Sequence, residues 1–357
     1  MEEKNLNDVR SMKNKKIYFL NIVIILAIMI GVLIYMITVD GIDNMLQVLQ
    51  TVDYKWMTVG LICLILMWVA EAISVHIPLK KLYSKQTFAN TFKVTMIGQL
   101  FNNLTPFASG GQAMQAYVFH KNGIRASDSF SILAMRFIIT QTTLIIFTIL
   151  VVLSEIGFFL NIFKDLVWIG IIGIFLNILL VVLIFMMGNH PSFIVKLAKP
   201  ILNFFSKIKF GNFRLIKDKE TSLEKFKEST ANFNNQFKKM KEDKIILFKM
   251  IFYGLIQSIL YYLITYCVYK GFGNSGINFL QIVTTQALLM LIMTIFPTPG
   301  AGIGAEGGFL LLFSSIFKNG TINMSILFWR IFVFYLPIIV GALFFLPTKK
   351  EEKNENK

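Results

Sequence analysis

The apolar positions of this chain are grouped in long runs, with few polar residues inside each run. Six runs are uncharged or nearly so and reach the bilayer-spanning length of about 20 residues. They are Ile17–Val39, Trp56–Val75, Ile132–Leu153, Leu166–Met187, Ile245–Val268 and Ile326–Leu346. Hydrophobic residues make up 55% of the chain and charged residues 15%, too little polar surface for a soluble chain of this length. The pattern predicts an all-α, polytopic helical integral membrane protein, with residues 1–357 forming a single membrane domain.

Two further apolar stretches are interrupted by helix-breaking residues. Val94–Leu104 is too short to cross a bilayer as a helix and is followed by "NNLTPFASGGQ", after which the basic "HKNGIR" returns to the same side. We therefore expect residues 93–120 to form a re-entrant hairpin that is broken at Thr105–Gly111. Ile277–Gly320 contains the second break, "FPTPGAGIGAEGGF", and begins and ends on the opposite side.

The two hairpins are thus predicted to have opposite polarity. The alternative of eight spans stays open, because Asn278–Phe296 is long enough to cross the membrane alone. Inverted, broken hairpins build binding sites near the bilayer midplane, where irregular backbone is tolerated only beside protein or water. Kinks that serve packing alone are the competing interpretation.

The distribution of charge gives the orientation. Lysine and arginine outnumber the acidic residues by 35 to 20, and they concentrate in residues 1–16, 76–93, 191–244 and at Lys349–Lys350. The loops on the other side are acidic or nearly neutral, which is the positive-inside pattern and predicts that both termini are cytoplasmic. Residues 191–244 read as a basic amphipathic connector that contacts anionic inner-leaflet lipids. Because topology explains the basic surplus, no nucleic-acid partner is expected.

The sequence offers no constellation of catalytic or metal-ligating residues. Cys63 and Cys267 both lie inside apolar runs, and the three histidines are scattered near predicted span ends. We expect no metal, no cofactor and no catalytic site.

Four charged residues inside or beside the spans are the best functional candidates, because charge at membrane depth is costly. Arg136 and Arg330 either extend to the interface or bind an anion, and Glu71 is expected to pair with Arg136 or with interfacial lysines. Glu306 follows "GAGIGA" and either caps a helix or meets a ligand. Glycine-rich helix starts at "ASGGQ" and "GAGIGA" offer free N–H groups to a phosphate.

Three stretches resemble signature segments of the lysylphosphatidylglycerol synthase transmembrane, or flippase-like, family. They are "NNLTPFASGGQAMQAYVFHKNGI", "PTPGAGIGAEGGF" and "WRIFVFYLPIIVGAL". The resemblance implies movement of a membrane phospholipid between leaflets of a bacterial cytoplasmic membrane. In bifunctional relatives a soluble C-terminal domain makes lysylphosphatidylglycerol, which confers resistance to cationic antibiotic peptides. The chain ends at Lys357 soon after its last predicted span, so lysyl transfer is not expected of it.

The resulting hypothesis is a lipid translocase for an anionic or aminoacylated phospholipid or a polyprenyl-phosphate lipid. A phosphatidylglycerol lysyltransferase-type enzyme and a small-solute transporter are the alternatives. The lipid, the direction, the energy source and a homodimeric state are left open. The expected substrate-binding residues are Thr105, Pro106, Ser109, Gly110, Gly111, Gln112, Tyr117, Arg136, Pro297, Pro299, Gly300, Gly302, Gly304, Glu306 and Arg330.

Overall fold

Helices account for almost all of the described chain. A computed structural model describes residues 42–105, 109–196, 200, 209–210, 213–214, 219–295, 302–318 and 320–345. The helices are α1 (Ile42–Thr51), α2 (Tyr54–Leu82), α3 (Phe88–Leu104), α4 (Gly110–Lys121), α5 (Ala126–Ser154), α6 (Ile156–Phe163), α7 (Val167–Asn189), α8 (Lys219–Glu242), α9 (Lys244–Gly271), α10 (Phe279–Ile295), α11 (Gly302–Phe313), α12 (Ile322–Arg330) and α13 (Leu336–Phe345). Two short strands, β1 (Lys209–Phe210) and β2 (Phe213–Arg214), pair antiparallel. The all-α prediction is confirmed.

Five stretches of the described chain are long and apolar enough to cross a membrane. They are Tyr54–Leu82, Ala126–Ser154, Ile156–Asn189, Lys244–Gly271 and Ile322–Phe345. Each matches one of the predicted spans, although Leu346 at the end of the last predicted span and the whole of Ile17–Val39 lie outside the described residues. Large apolar side chains on these stretches face outward, among them Trp168, Ile171, Ile172 and Phe175 on α7. Such a belt suits contact with lipid rather than water, and the chain is a multi-pass membrane protein.

The segment "SEIGFFLNIFKD" is helical, although it connects the predicted spans Ile132–Leu153 and Leu166–Met187 and was expected to be one of the loops. Its apolar residues form α6, and a single 3-10 turn, Lys164–Leu166, leads into α7. Phe159 and Phe163 on α6 are buried in the hydrophobic core. Burial of these rings explains why the short connection folds as a helix instead of remaining an open loop.

An antiparallel pair, α2 and α9, forms the central frame. At one end the Lys81 ammonium contacts the Asp243 carboxylate, and at the other the Asp53 N–H donates to the Gly271 carbonyl at 2.8 Å. Asp53 and Asp243 also cap their helices, accepting from the N–H groups of Lys55 and Ile246. The hydrogen bond from Lys81 holds the pKa of Asp243 below its ordinary value. These contacts fix the register of the two long helices.

The first broken hairpin consists of α3 and α4. The Asn122 amide donates to the Asn90 side-chain oxygen at 3.0 Å, which joins the open end of the hairpin. Near the break, a β-carbon on Gly111 would lie 2.5 Å from the Gly98 carbonyl oxygen, so the backbones touch. The helices are interrupted between Leu104 and Gly110, and this agrees with the predicted break at Thr105–Gly111.

The second broken hairpin consists of α10 and α11, which pack closely where Gly308 meets Leu289. Its open end lies beside the C-terminal end of α9. There Phe279 contacts the Tyr266 ring, and Phe317 contacts the Tyr269 ring. The open end of the first hairpin lies beside the other end of the frame, where His76 on α2 approaches Thr91 on α3 at 3.0 Å. The two hairpins therefore enter the frame from opposite ends, as their predicted opposite polarity requires.

The second half of the 191–244 connector is α8, and protein covers its apolar stripe. The Ser131 hydroxyl on α5 donates to the Phe233 carbonyl at 2.9 Å, and the Asn234 amide donates to the Gly188 carbonyl at 2.6 Å. Phe237 is fully buried, with its ring against Gly188. This helix is docked on α5 and α7, whereas the sequence indicated a helix lying on the membrane. Most of the first predicted amphipathic helix lies outside the described residues.

Candidate functional site: two ion pairs at the broken hairpins

The four charged residues singled out in the sequence form two ion pairs. The Arg136 guanidinium lies 2.9 Å from the Glu71 carboxylate, and the Arg330 guanidinium lies 3.2 Å from the Glu306 carboxylate. The expected pairing of Glu71 with Arg136 is confirmed. Because both arginines bind carboxylates of the protein, neither is simply extended towards a membrane interface.

The Glu71–Arg136 pair is closed, and its carboxylate is well satisfied. Glu71 on α2 has 1% of its side chain exposed, and its Oε2 atom accepts hydrogen bonds from the amides of Gln99 on α3 and Gln257 on α9. Arg136 on α5 also donates to the Gln257 side-chain oxygen at 3.3 Å. One carboxylate thus joins four helices. A buried charge is tolerated when it is paired and its remaining lone pairs accept hydrogen bonds.

This pair lies deeper than the sequence suggested. Glu71 and Arg136 were expected near the inner ends of their spans, yet Gln257 lies midway between Asp243 and Gly271 along α9. At the helical rise that is about 21 Å from either end of the frame. Glu71 itself is ten residues from Lys81 and eighteen from Asp53, about 15 and 27 Å along α2, so the first ion pair lies inside the frame but nearer its Lys81–Asp243 end.

The Arg330–Glu306 pair is more open. Arg330 has 4% of its side chain exposed, whereas Glu306 retains 33%. Arg330 Nε donates to Glu306 Oε1, and the guanidinium lies 4.7 Å from the centre of the Phe334 ring. Cation–π contact helps to hold a buried guanidinium in place. The carboxylate side of this pair is accessible and the arginine side is sheltered.

Glu306 is not a helix cap. Helix α11 begins at Gly302, which puts Glu306 beyond the first helical turn, and that turn contains no acidic residue. Most of the favourable interaction with free N–H groups and the helix dipole is confined to the first turn. The partner of this carboxylate is Arg330, so the capping interpretation of Glu306 is wrong.

A π-helical turn, Ile331–Tyr335, follows Arg330 directly. Its Leu336 N–H donates to the Ile331 carbonyl, five residues back. Pro337 comes next and has no N–H for the ordinary bond to Val333, which favours this wider turn. The turn places Tyr335, which is buried, within the electrostatic range of both Arg330 and Glu306. Single π turns inside helices are frequent at functional sites.

A polar track on α9 connects the two pairs. Gln257 contacts the first pair, and Tyr261 lies one helical turn further on, where it interacts electrostatically with Arg330. The Gln286 side chain on α10 lies beside the Tyr261 hydroxyl. Gln286 is completely buried, and neither its side-chain nitrogen nor its side-chain oxygen has a hydrogen-bond partner.

The predicted binding residues of the first hairpin differ in exposure, and some are already used in contacts within the protein. The Thr105 hydroxyl accepts from the Gly110 N–H at 2.8 Å, so one N–H of this helix start is already used. Gly111 is buried at the close contact with α3, and Gln112 is half-buried. Ser109 at the helix start is exposed, and Tyr117 is 53% exposed beneath the Lys121 ammonium. Pro106 lies outside the described residues.

In the second hairpin, Pro297, Pro299 and Gly300 lie outside the described residues. Gly302 and Gly304 lie in the first turn of α11, four and two residues before Glu306. Among the described residues, no group of three histidine, cysteine, aspartate or glutamate side chains lies close enough to hold a metal ion.

Sequence reasoning missed the amide and hydroxyl groups around the pairs. These are Gln99, Gln257, Tyr261, Gln286 and Tyr335. It also missed a second amide cluster, in which Asn177 accepts from Gln141 at 2.7 Å and donates to Thr294 at 3.2 Å. Glutamine and asparagine inside otherwise apolar spans were the available signal, since such groups need partners at membrane depth.

Comparison with known proteins gives the family of the chain. The chain is 26% identical over 316 residues to a UPF0104 membrane protein of Methanocaldococcus jannaschii, an alignment that covers 87% of this chain and 90% of the relative. The family model described as the lysylphosphatidylglycerol synthase TM region matches residues 22–341, a range that contains both broken hairpins and both ion pairs. The chain belongs to the lysylphosphatidylglycerol synthase TM region family.

Proposed function

We propose that the protein moves a lipid with an anionic or aminoacylated phosphate headgroup, a phospholipid or a polyprenyl phosphate, between the two leaflets of a membrane. The observation that carries this proposal is the contrast between the two ion pairs. Glu71 is enclosed and accepts hydrogen bonds from two amides in addition to its arginine contact. Glu306 is one-third exposed and bonds Arg330 through one oxygen.

An open ion pair can exchange its partners with a ligand of matching charge. A headgroup phosphate offers Arg330 a bidentate acceptor, which a guanidinium binds strongly. A cationic group such as a lysyl ammonium offers Glu306 a replacement for the arginine. An aminoacylated headgroup carries both charges, so it would replace both halves of the pair without leaving either charge unpaired.

The enclosed pair supports the same function in a different way. The Glu71–Arg136 pair and its two glutamine partners tie α2, α3, α5 and α9 together inside the frame. A frame of this kind gives fixed surroundings to the two hairpins, which enter it from opposite ends. Alternating access in inverted architectures uses such fixed sites with moving hairpins or bundles.

A groove on the outer surface suits a lipid tail. It has a cavity volume of about 170 Å³ and lies between α5, α7 and α10, where Ile149, Leu153, Ile171, Ile174, Leu288 and Leu291 line it. Ile149, Leu153 and Ile171 are well exposed, so this groove opens sideways towards the bilayer. A tail could remain in hydrocarbon while the headgroup enters the protein.

We further propose a bacterial cytoplasmic membrane, with both termini in the cytoplasm. The end of the α2–α9 frame that would then face inward carries four lysines: Lys80, Lys81, Lys244 and Lys249. Anionic lipids of the inner leaflet would be attracted to this end and to the exposed lysines of α8.

The test is lipid movement in proteoliposomes, with a fluorescent lipid in the inner leaflet and a membrane-impermeant quencher outside. The wild type is expected to expose the labelled anionic lipid to the quencher. Arg330→Gln is expected to slow this movement at least about tenfold, because the guanidinium–phosphate contact is lost. Arg125→Gln is the matched control, since Arg125 is exposed at the start of α5.

The same vesicles, loaded with a small anionic dye, separate a lipid translocase from a small-solute transporter. Release of the dye without movement of any lipid would contradict the proposal. So would unchanged lipid movement in Arg330→Gln, provided that size exclusion shows folded protein.

A further inference from the structure

Gln286 is an unexplained polar residue of this region. It lies in the middle of α10 and is completely buried, and neither the donor nor the acceptor of its amide forms a hydrogen bond of normal geometry. A buried polar group without hydrogen bonds is costly, and in native proteins such a group usually has a specific role. The neighbouring threonines differ: the hydroxyls of Thr284 and Thr285 donate to carbonyls of their own helix at 2.9 and 2.8 Å.

The position of this amide relates it to the open ion pair. The Tyr261 hydroxyl lies beside the Gln286 side chain and also interacts electrostatically with Arg330. A series of neighbouring polar side chains therefore runs from a partly exposed carboxylate to a fully buried amide: Glu306, Arg330, Tyr261 and Gln286. A headgroup bound at Arg330 would place its outer atoms near Gln286.

The chemistry of the amide selects its partner. A phosphate only accepts hydrogen bonds and suits Arg330, and an ammonium only donates them and suits Glu306. The amide of Gln286 must both donate and accept, and a neighbouring tyrosine hydroxyl can do the same. A hydroxyl group satisfies both requirements at once.

We infer that Gln286, with Tyr261, is a specificity-determining subsite that reads a hydroxyl group on the lipid headgroup. This inference rests on the proposed lipid translocation. It adds that the protein distinguishes headgroups that carry the same charge: a hydroxylated headgroup, as in a glycerol or sugar derivative, is moved faster than one with only an alkyl group on its phosphate. A site built to hydrogen-bond a hydroxyl rejects analogues that lack it.

The experiment compares lipids of equal charge in proteoliposomes. Phosphatidylglycerol and phosphatidylethanol have one negative charge each and differ in the headgroup hydroxyls. The second matched pair is a sugar diester of a polyprenyl phosphate and the ethyl diester of the same polyprenyl phosphate, which also have one negative charge each. The wild type is expected to prefer the hydroxylated member of at least one pair by about tenfold, the value of one good hydrogen bond. The preferred pair identifies the source of the hydroxyl.

Gln286→Met replaces the amide with an apolar side chain of similar size. It is expected to slow the hydroxylated lipid and leave the movement of the other lipid unchanged, so that the ratio of the two rates falls to about 1. Thr285→Val is the matched control, because it is equally buried on the same helix and its hydroxyl is already bonded. The control is expected to keep the wild-type preference.

Two results keep the inference separate from the proposed function. If wild-type protein moves both members of a pair and Gln286→Met leaves their ratio unchanged, the subsite is wrong and lipid translocation stands. If wild-type protein moves no lipid, both fall together. Should Gln286→Met fail to fold, Tyr261→Phe removes only the adjacent hydroxyl. The inference would be contradicted if this variant retained the full preference.

Discussion

Two glutamates at membrane depth have the same chemistry and different surroundings. Glu71 has three partners and almost no exposed surface. Glu306 accepts a hydrogen bond from Arg330 through one oxygen, and one-third of its side chain is exposed. The cost of removing a carboxylate depends on what it leaves behind. Without the Glu71 charge, Arg136 would face an enclosed position that is 1% exposed, whereas the Glu306 position beside Arg330 is open to polar groups from outside the protein.

Neutralising the two glutamates should therefore separate stability from transport. Glu71→Gln is expected to lower the free energy of unfolding by about 3–5 kcal/mol, the usual cost of breaking a buried ion pair. Glu306→Gln is expected to fold with a smaller loss and to stop movement of lipids with a cationic headgroup. Thermal unfolding in detergent and the proteoliposome assay measure the two effects. Equal loss of stability in both variants would show that the Arg330 pair is as enclosed as the other.

The sequence revealed the charges more readily than their partners. An acidic or basic residue inside an apolar run is conspicuous because of its desolvation cost, and all four charged candidates proved to be paired. The link between Glu306 and Arg330 depends on how α11 crosses α12, which no spacing within either segment specifies. Gln99, Gln257 and Gln286 are neutral, so they gave a weaker signal than the charged residues did.

At the scale of elements, glycine sets how closely the limbs of the first hairpin approach. A β-carbon on Gly111 would lie 2.0 Å from the Asn102 side-chain oxygen and 2.5 Å from the Gly98 carbonyl. The carbonyl belongs to a helix backbone and cannot move away cheaply. The "ASGGQ" stretch suggested free N–H groups for a phosphate. Its second glycine, Gly111, is instead required for the close packing of the two helices.

Gly111→Ala is accordingly expected to destabilise the protein by about 1–3 kcal/mol, the typical cost of an overpacked contact. Gly307→Ala is the control within a broken hairpin, because a β-carbon there would meet no atom within 4 Å. It is expected to be neutral or to stabilise α11 by about 0.5–1 kcal/mol, as alanine does inside a helix. Melting temperatures in detergent compare the two. A neutral Gly111→Ala would mean that the limbs are further apart than described.

Element boundaries were predictable where composition changes sharply. The break of the first hairpin follows from Pro106 and the glycines after Ser109, and the five described spans follow from the length of their apolar runs. Helix α6 was missed because an eight-residue apolar stretch forms a helix only when packing supports it. The docking of α8 was missed because an amphipathic stripe fits a protein surface as well as a lipid surface.

At the scale of the molecule, the orientation that we propose rests on charge alone. The hairpins enter from opposite ends of the α2–α9 frame, and under the positive-inside rule the Lys81–Asp243 end would face the cytoplasm. The connection after α9 and helix α1 would then face outward. The midpoint of α9 would be near the middle of the bilayer, and the first ion pair would lie nearer the cytoplasmic side.

Single cysteines test this orientation. Cysteine at Asp43 or Ser275, both exposed, is expected to react with an impermeant thiol reagent in whole cells. Cysteine at Lys238, exposed on α8, is expected to react only after the cells are opened. Cys63 and Cys267 are buried and provide the unreactive background. Labelling at Lys238 in intact cells would reverse the orientation and the side from which each hairpin enters.

The central claim is that Arg330 holds the phosphate of a lipid headgroup. Its most direct test is the lipid retained by purified protein, identified by mass spectrometry and compared with the membrane from which the protein came. The wild type and Arg125→Gln are expected to retain an anionic or aminoacylated phosphate lipid enriched over the bulk membrane, and Arg330→Gln is expected to lose that enrichment. Equal enrichment of the same lipid in folded Arg330→Gln protein would contradict the account.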